Sequence, residues 1–202
     1  MTRILKIDEL YHNKAYGSRI NENANYGWDG ELKKFLMKNS VNGAYMEVMV
    51  DASGNVNNGV LEDFFTKTCE YCEKYRFAGI QVHPYGKHID EENEVNYEVS
   101  DIKENKDEVV MNCVNACMES NPGGDLTIDG CVDYICDWAK QPKMKKNVWV
   151  VFTDGEFDPK PLSKFDMVGS RVMFVVCNRD TDHLEWYNDP EYGKIQKCFI
   201  EI

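Results

Sequence analysis

Two short runs constrain this chain more than any other feature. Residues 147–152 (NVWVVF) and 171–177 (RVMFVVC) are apolar at nearly every position. Successive side chains of a strand point to opposite faces, so a strand apolar throughout must be covered on both sides. Covering both sides requires helices above and below a mainly parallel sheet, linked by crossover connections.

The rest of the chain supplies those partners. Residues 45–50 (YMEVMV) and 78–84 (AGIQVHP) read as further strands. Residues 95–99 alternate apolar and polar, as a short edge strand does. Residues 58–75, 107–118 and 128–138 carry apolar side chains at helical spacing. Pro122, Gly123 and Gly124 separate the last two. Residues 197–202 (KCFIEI) read as a closing strand. The expected fold class is α/β, a three-layer domain with a mostly parallel central sheet and helices on both faces. Its two most apolar early and late strands, 45–50 and 147–152, are expected side by side in the middle. Residues 1–43 are polar and turn-rich, with Leu32, Phe35 and Leu36 suggesting one amphipathic helix. They read as an N-terminal extension packing on a domain that spans 44–202.

Charge narrows the range of functions. The net charge is −12. Nucleic-acid binding draws on basic surfaces that neutralise phosphates, so DNA, RNA and anionic membranes are not the expected partners. The one compact basic stretch, residues 140–146 (KQPKMKK), reads as a solvated loop. No apolar run approaches the ~20 residues of a membrane helix. Residues 1–10 contain Arg3, Lys6, Asp8 and Glu9 rather than a signal peptide's apolar stretch, so the expected location is cytoplasmic. Eight cysteines in that setting are expected to be reduced. Cys69 and Cys72 form a CxxC, but they share an apolar helical face with Leu61, Phe64, Phe65 and Tyr75. Cys113 and Cys117 lie on a similar face. Both pairs therefore read as core thiols rather than zinc ligands.

Candidate chemistry sits at two strand ends. Asp51, Ser53 and Asn55 (DASGN) follow the first strand, and Asp154 (TDG) follows 147–152. Ligands bind open parallel sheets outside the carboxyl ends of strands, where the strand order reverses. Neighbouring strands there would bring Asp51 and Asp154 together, with Ser53 and Asn55 on the same side as Asp51. Such oxygen donors suit Mg2+ or Mn2+ rather than zinc. As simple structural elements, Ser53 and Asn55 are turn residues or a helix cap. His83 and His88 read as solvated loop residues, and Glu156 and Asp158 as surface charges.

These residues resemble the metal-ion-dependent adhesion site (MIDAS) of von Willebrand factor A (VWA) domains. DASGN resembles its DxSxS motif, and TDG resembles the motif supplying its late aspartate. Residues 123–131 (GGDLTIDGC) resemble its GGTxIxxGL stretch, which supplies a threonine. The similarity covers roughly two thirds of the chain, residues 45–177. The nearest variety is the VWA-like domain that follows a metallopeptidase-like domain in bacterial proteins. Trp28, Asp29, Leu32 and Phe35 resemble the joining segment there, while no HExxH is present. The resemblance implies a metal set of Asp51, Ser53, Asn55, Asp154 and either Asp125 or Thr127. Asn55 replaces the motif's last serine, and Asp125 takes the threonine position unless a gap brings in Thr127. An added carboxylate would hold a cation more tightly while reducing its pull on a partner's acid.

The resemblance further implies a non-enzymatic module that docks another protein, of a kind that works beside AAA-type ATPases. A magnesium-dependent phosphohydrolase is the enzymatic alternative. A phosphatase of the haloacid-dehalogenase kind would carry an aspartate where Ser53 stands, and no P-loop, nucleophile elbow or GxGxxG occurs. A scaffold with a degenerate metal site is the third reading.

Overall fold

The computed structural model describes residues 27–52, 58–120, 127–167, 171–182 and 184–201. Six strands form one sheet: β1 (Tyr45–Asp51), β2 (Gly79–Tyr85), β3 (Val95–Glu98), β4 (Val148–Thr153), β5 (Val172–Asn178) and β6 (Gln196–Glu201). Their spatial order is β3-β2-β1-β4-β5-β6. Every pairing is parallel except β2 with β3. β1 and β4 are neighbours, with Val48 opposite Val150. All six residues of β4 and all seven of β5 are buried, as their continuous apolarity requires.

The helices are α1 (Trp28–Asn39), α2 (Asn58–Lys74), α3 (Val99–Glu104), α4 (Lys106–Glu119), α5 (Ile128–Ala139) and α6 (Glu185–Asn188). Helices α1 to α4 cover the first face. There Met46, Val48, Val50, Phe152 and Val175 meet Leu36, Phe64, Phe65, Cys69 and Cys113. Helix α5, a 3-10 stretch at Lys160–Met167 and α6 cover the second face. There Met49, Trp149, Val151 and Phe174 meet Ile128, Cys131, Ile135, Leu162 and Trp186. Burial of Leu61, Phe64, Phe65, Thr68, Cys69 and Cys72 at three- and four-residue spacing explains α2. Trp28, Leu32, Phe35 and Leu36 of α1 are buried in the first-face core, so this helix is part of the fold's packing. Cys69 and Cys72 are likewise core residues with no disulfide.

Two local features position the sheet edges. A Cβ on Gly79 would lie 2.1 Å from the Tyr97 carbonyl oxygen, so only glycine lets β3 approach β2 this closely. Pro84 stands inside β2 without loss because β3 pairs with β2 only as far as Val82. Helix α3 was not apparent from periodicity. It is set by a reciprocal capping box, with Glu98 bonding the Asp101 backbone and Asp101 bonding the Glu98 backbone. No helix among the described residues is long and apolar enough to cross a membrane.

Candidate functional site

The strand order reverses between β1 and β4, because the chain winds outward from β1 to β3 and from β4 to β6. Strand carboxyl ends flanking that point carry the candidate residues. Asp51 closes β1 and is 2% exposed, and Asp154 follows β4 and is 5% exposed. Thr153 Oγ1 donates to Asp51 Oδ2 at 3.1 Å and accepts the Gly155 N–H at 3.1 Å. This hydroxyl ties the two strand ends together. Asp154 Oδ1 accepts the Glu156 N–H at 2.9 Å. Gly155 adopts φ +83°, a left-handed conformation that folds the loop back over the strand end. Asn178 Nδ2 donates to the Asp154 carbonyl at 2.9 Å, and Trp186 Nε1 donates to the Gly155 carbonyl at 2.9 Å. The TDG loop is thus held from β5 and α6 as well as from its own strand.

Thr127 stands at the N-cap of α5 in extended conformation, and its side chain makes no capping bond. This helix leads into β4, so its first turn lies at the same edge. A Cβ on Gly130 would approach the Lys87 carbonyl oxygen to 2.9 Å, which fixes the helix start against the loop after β2. Cys131, one residue further, is fully buried. Burial, then the negative charge of Asp51, pushes its thiol well above the ordinary range, so it stays neutral. Tyr85 closes β2 opposite Asp51. Burial and the Asp51 charge raise its phenol too, and its hydroxyl has no hydrogen-bond partner among the described residues. The nearby Thr153 hydroxyl has its proton engaged by Asp51.

Of the six residues expected at the metal site, Asp51, Asp154 and Thr127 therefore share one edge. Ser53, Asn55 and Asp125 lie outside the described residues. Among the described residues, no three His, Cys, Asp or Glu side chains converge as a metal-holding group. The side-chain contact at this edge joins two oxygens, Thr153 Oγ1 and Asp51 Oδ2. Glu156 and Asp158 are exposed.

Sequence reasoning missed a second polar constellation. His83 lies within β2 and is 5% exposed, not in a solvated loop as expected; His88 is exposed. His83 Nε2 lies 2.9 Å from Glu47 Oε2, and Nδ1 lies 2.6 Å from Glu94 Oε1. Burial would lower the His83 pKa, but the bonds to Glu47 and Glu94 outweigh it and raise the value to about 9. At neutral pH an imidazolium bridges two carboxylates. Asn147 Nδ2 donates to Glu47 Oε1 at 2.5 Å, and Tyr134 Oη lies 3.5 Å from Glu94 Oε1. The available signal was a lone acid in the apolar run YMEVMV, at a position whose alternation places it on the face that His83 also uses. His83 and Glu47 lie on the same face as Met49 and Trp149, so this network is roofed by α5 rather than open to the carboxyl edge.

No family model matches the chain, and no curated protein sequence matches it.

Proposed function

We propose that this protein is a non-enzymatic, VWA-like binding module that docks another protein at the carboxyl edge of its sheet through a divalent cation. The observation that carries this reading is the placement of two buried aspartates, Asp51 and Asp154, at the ends of adjacent parallel strands, where the strand order reverses. The donor chemistry fits magnesium or manganese. Two buried carboxylates and a capping-position threonine offer hard oxygens, and burial holds the Cys131 thiol neutral. The Tyr85 hydroxyl, close to Asp51 and without a hydrogen-bond partner among the described residues, supplies a further buried polar atom that a hydrated cation would satisfy.

Asp51 and Asp154 would hold the ion, with Thr127 or Asp125, Ser53 and Asn55 completing its shell directly or through water. A bound cation would supply residual positive charge for a partner's Asp or Glu. The protein's own residues supply rigidity: Thr153 locks Asp51, and Asn178 and Trp186 lock the loop that carries Asp154. The reading also takes the partner to be another protein, with an AAA-type ATPase as the candidate, and the location to be cytoplasmic.

Thermal melts test the site. Millimolar Mg2+ or Mn2+ should raise the melting temperature over EDTA, because a ligand at a hundredfold excess over its Kd stabilises the native state by about 2.7 kcal/mol. Asp51→Ala and Asp154→Ala should abolish the gain. An identical response of wild type and Asp51→Ala would overturn the reading.

A further inference from the structure

The amino edge of the sheet carries a second site. A cleft of about 590 Å³ opens between α5, the loop that follows it and the starts of β4 and β5. That volume falls within the ordinary range of ligand clefts, roughly 300–1,000 Å³. Cys136, Ala139 and Met144 give it an apolar part, and four cations, Lys140, Lys145, Lys164 and Arg171, line it against two acids, Asp133 and Asp137. Trp149, 1% exposed, lies buried beneath the cleft and fixes its base. Arg171 is held in place by donating from Nε to the Asn147 carbonyl at 2.8 Å and from a terminal nitrogen to the carbonyls of Asn39 and Lys146.

The charge around this cleft opposes that of the whole molecule. The chain carries −12, yet Lys140, Lys143, Lys145 and Lys146 follow one another along the loop beside the opening. Lys140 pairs with Asp137 at 3.1 Å and Lys164 with Asp133 at 2.7 Å, both exposed pairs of the kind that contribute little and exchange partners readily. Lys143 and Lys145 are exposed and form no ion pair among the described residues. An apolar cleft alone would accept any small hydrophobe. A basic rim that continues past the cleft along the loop selects a ligand with several negative charges spaced along a chain and one apolar group between them.

We propose that this cleft binds an acidic peptide segment of a partner protein, seating one aromatic or long aliphatic side chain among Cys136, Ala139 and Met144 while flanking carboxylates meet Lys143, Lys145 and the rim lysines. The site stands at the opposite end of the sheet from Asp51 and Asp154 and does not depend on the metal reading.

The test uses the full chain and fluorescence anisotropy. The probe is a short fluorescein-labelled peptide of Glu and Asp with one central Phe; its control has Ser in place of Phe. The Phe peptide should bind saturably, and the Ser control should bind roughly tenfold or more weakly, as expected when a buried aromatic side chain is lost. Ala139→Trp fills the cleft and should abolish binding. The exposed double variant Lys143→Glu/Lys145→Glu should weaken it about tenfold and flatten its salt dependence. The double variant leaves the core untouched, so it decides the matter if Ala139→Trp fails to fold. EDTA and Asp51→Ala should change nothing. Equal binding of the two peptides would reduce the site to a nonspecific basic surface. Full displacement by phenylacetate at concentrations matching the peptide would make it a small-carboxylate pocket. Binding retained by a folded Ala139→Trp or by the double variant, or lost in Asp51→Ala, would place the peptide elsewhere. Each of these results overturns the proposal.

Discussion

The two faces of the sheet are built on different principles. The first face is an apolar layer in which aromatic rings, aliphatic side chains and thiols fill the space under α1 to α4. The second face is apolar over β4 and β5, but over β1 and β2 it encloses Glu47, His83 and Asn147, with Glu94 and Tyr134 closing the group. Apolar packing is tolerant of sequence, and below the range where thiols ionise it is insensitive to pH. A buried ionic network holds one geometry only while every member keeps its charge and partner. One sheet therefore joins a layer stabilised by volume to a layer stabilised by protonation.

The largest expected effect belongs to the first face. Phe64 is fully buried, its ring centroid 4.6 Å from that of Phe152 and 5.4 Å from that of Phe65. Phe64→Ala should cost about 3–5 kcal/mol by denaturant unfolding, through lost transfer energy and the cavity left behind. The loss should be equal at pH 6 and pH 8.5. A pH-dependent loss would mean that the two faces are coupled through the sheet.

The second face should show the complementary behaviour. The His83 pKa is about 9 in the folded protein against 6.5 ordinarily, so the native state binds more protons across that window. Its contribution is fully present below pH 6.5 and is lost as pH rises through 9, with a ceiling of about 3 kcal/mol for a shift of this size. Unfolding free energies at pH 6 and 8.5 should differ accordingly, and His83→Gln should flatten the dependence. Above pH 9 the first face joins in. Burial first of all pushes the thiols of Cys69, Cys72, Cys117 and Cys177 up to about 12, against 9.0 ordinarily, so unfolded chains ionise first and stability falls further. A stability that rises between pH 6.5 and 8.5 would rule out the bridging imidazolium.

A smaller difference separates the faces in thiol reactivity. Cys69, Cys72, Cys113, Cys117, Cys177 and Cys198 are buried in the first-face cluster, whereas Cys136 on the second face is partly exposed. A thiol-specific chromogenic reagent should modify Cys136 in the folded protein and the buried thiols only after unfolding. Rapid reaction of a first-face thiol would show that α2 or α4 opens locally.

The same contrast explains what could be read from sequence. Residues 147–152 and 171–177 announced a sheet covered on both faces because strand burial is a local property, and DASGN and TDG marked the two adjacent strand ends at which Asp51 and Asp154 stand. The partnership of Glu47, His83 and Glu94 joins residues that no motif links. It arises only when β1 and β2 pair with Met49 opposite His83, which places Glu47 two residues back on the same face. Helix α3 was hidden for another reason: its six residues are too few for periodicity to register, and its start depends on a capping box rather than on an apolar stripe. β2 runs one residue past the expected end at Pro84, to Tyr85, because β3 stops short of the proline.

The smallest effect probes the place where the second face reaches the carboxyl edge. Tyr85 is fully buried, and its ring joins Met49, Ile128 and Cys131 in the second-face core. Its hydroxyl has no hydrogen-bond partner among the described residues, while the Thr153 proton is already given to Asp51. A buried hydroxyl without a partner costs about 1–3 kcal/mol relative to one that is satisfied. Tyr85→Phe keeps the ring and deletes only that hydroxyl, so in EDTA the variant should be as stable as wild type or more stable by up to about 1 kcal/mol. Magnesium should then separate the two proteins. If the hydroxyl is satisfied by the hydration shell of a cation held by Asp51 and Asp154, wild type should gain more from the ion than Tyr85→Phe does, and the gap seen in EDTA should close. A clear loss of stability on Tyr85→Phe in EDTA would mean that the hydroxyl is bonded within the protein and takes no part in the edge site. An unchanged gap with and without magnesium would separate Tyr85 from any ion bound at this edge.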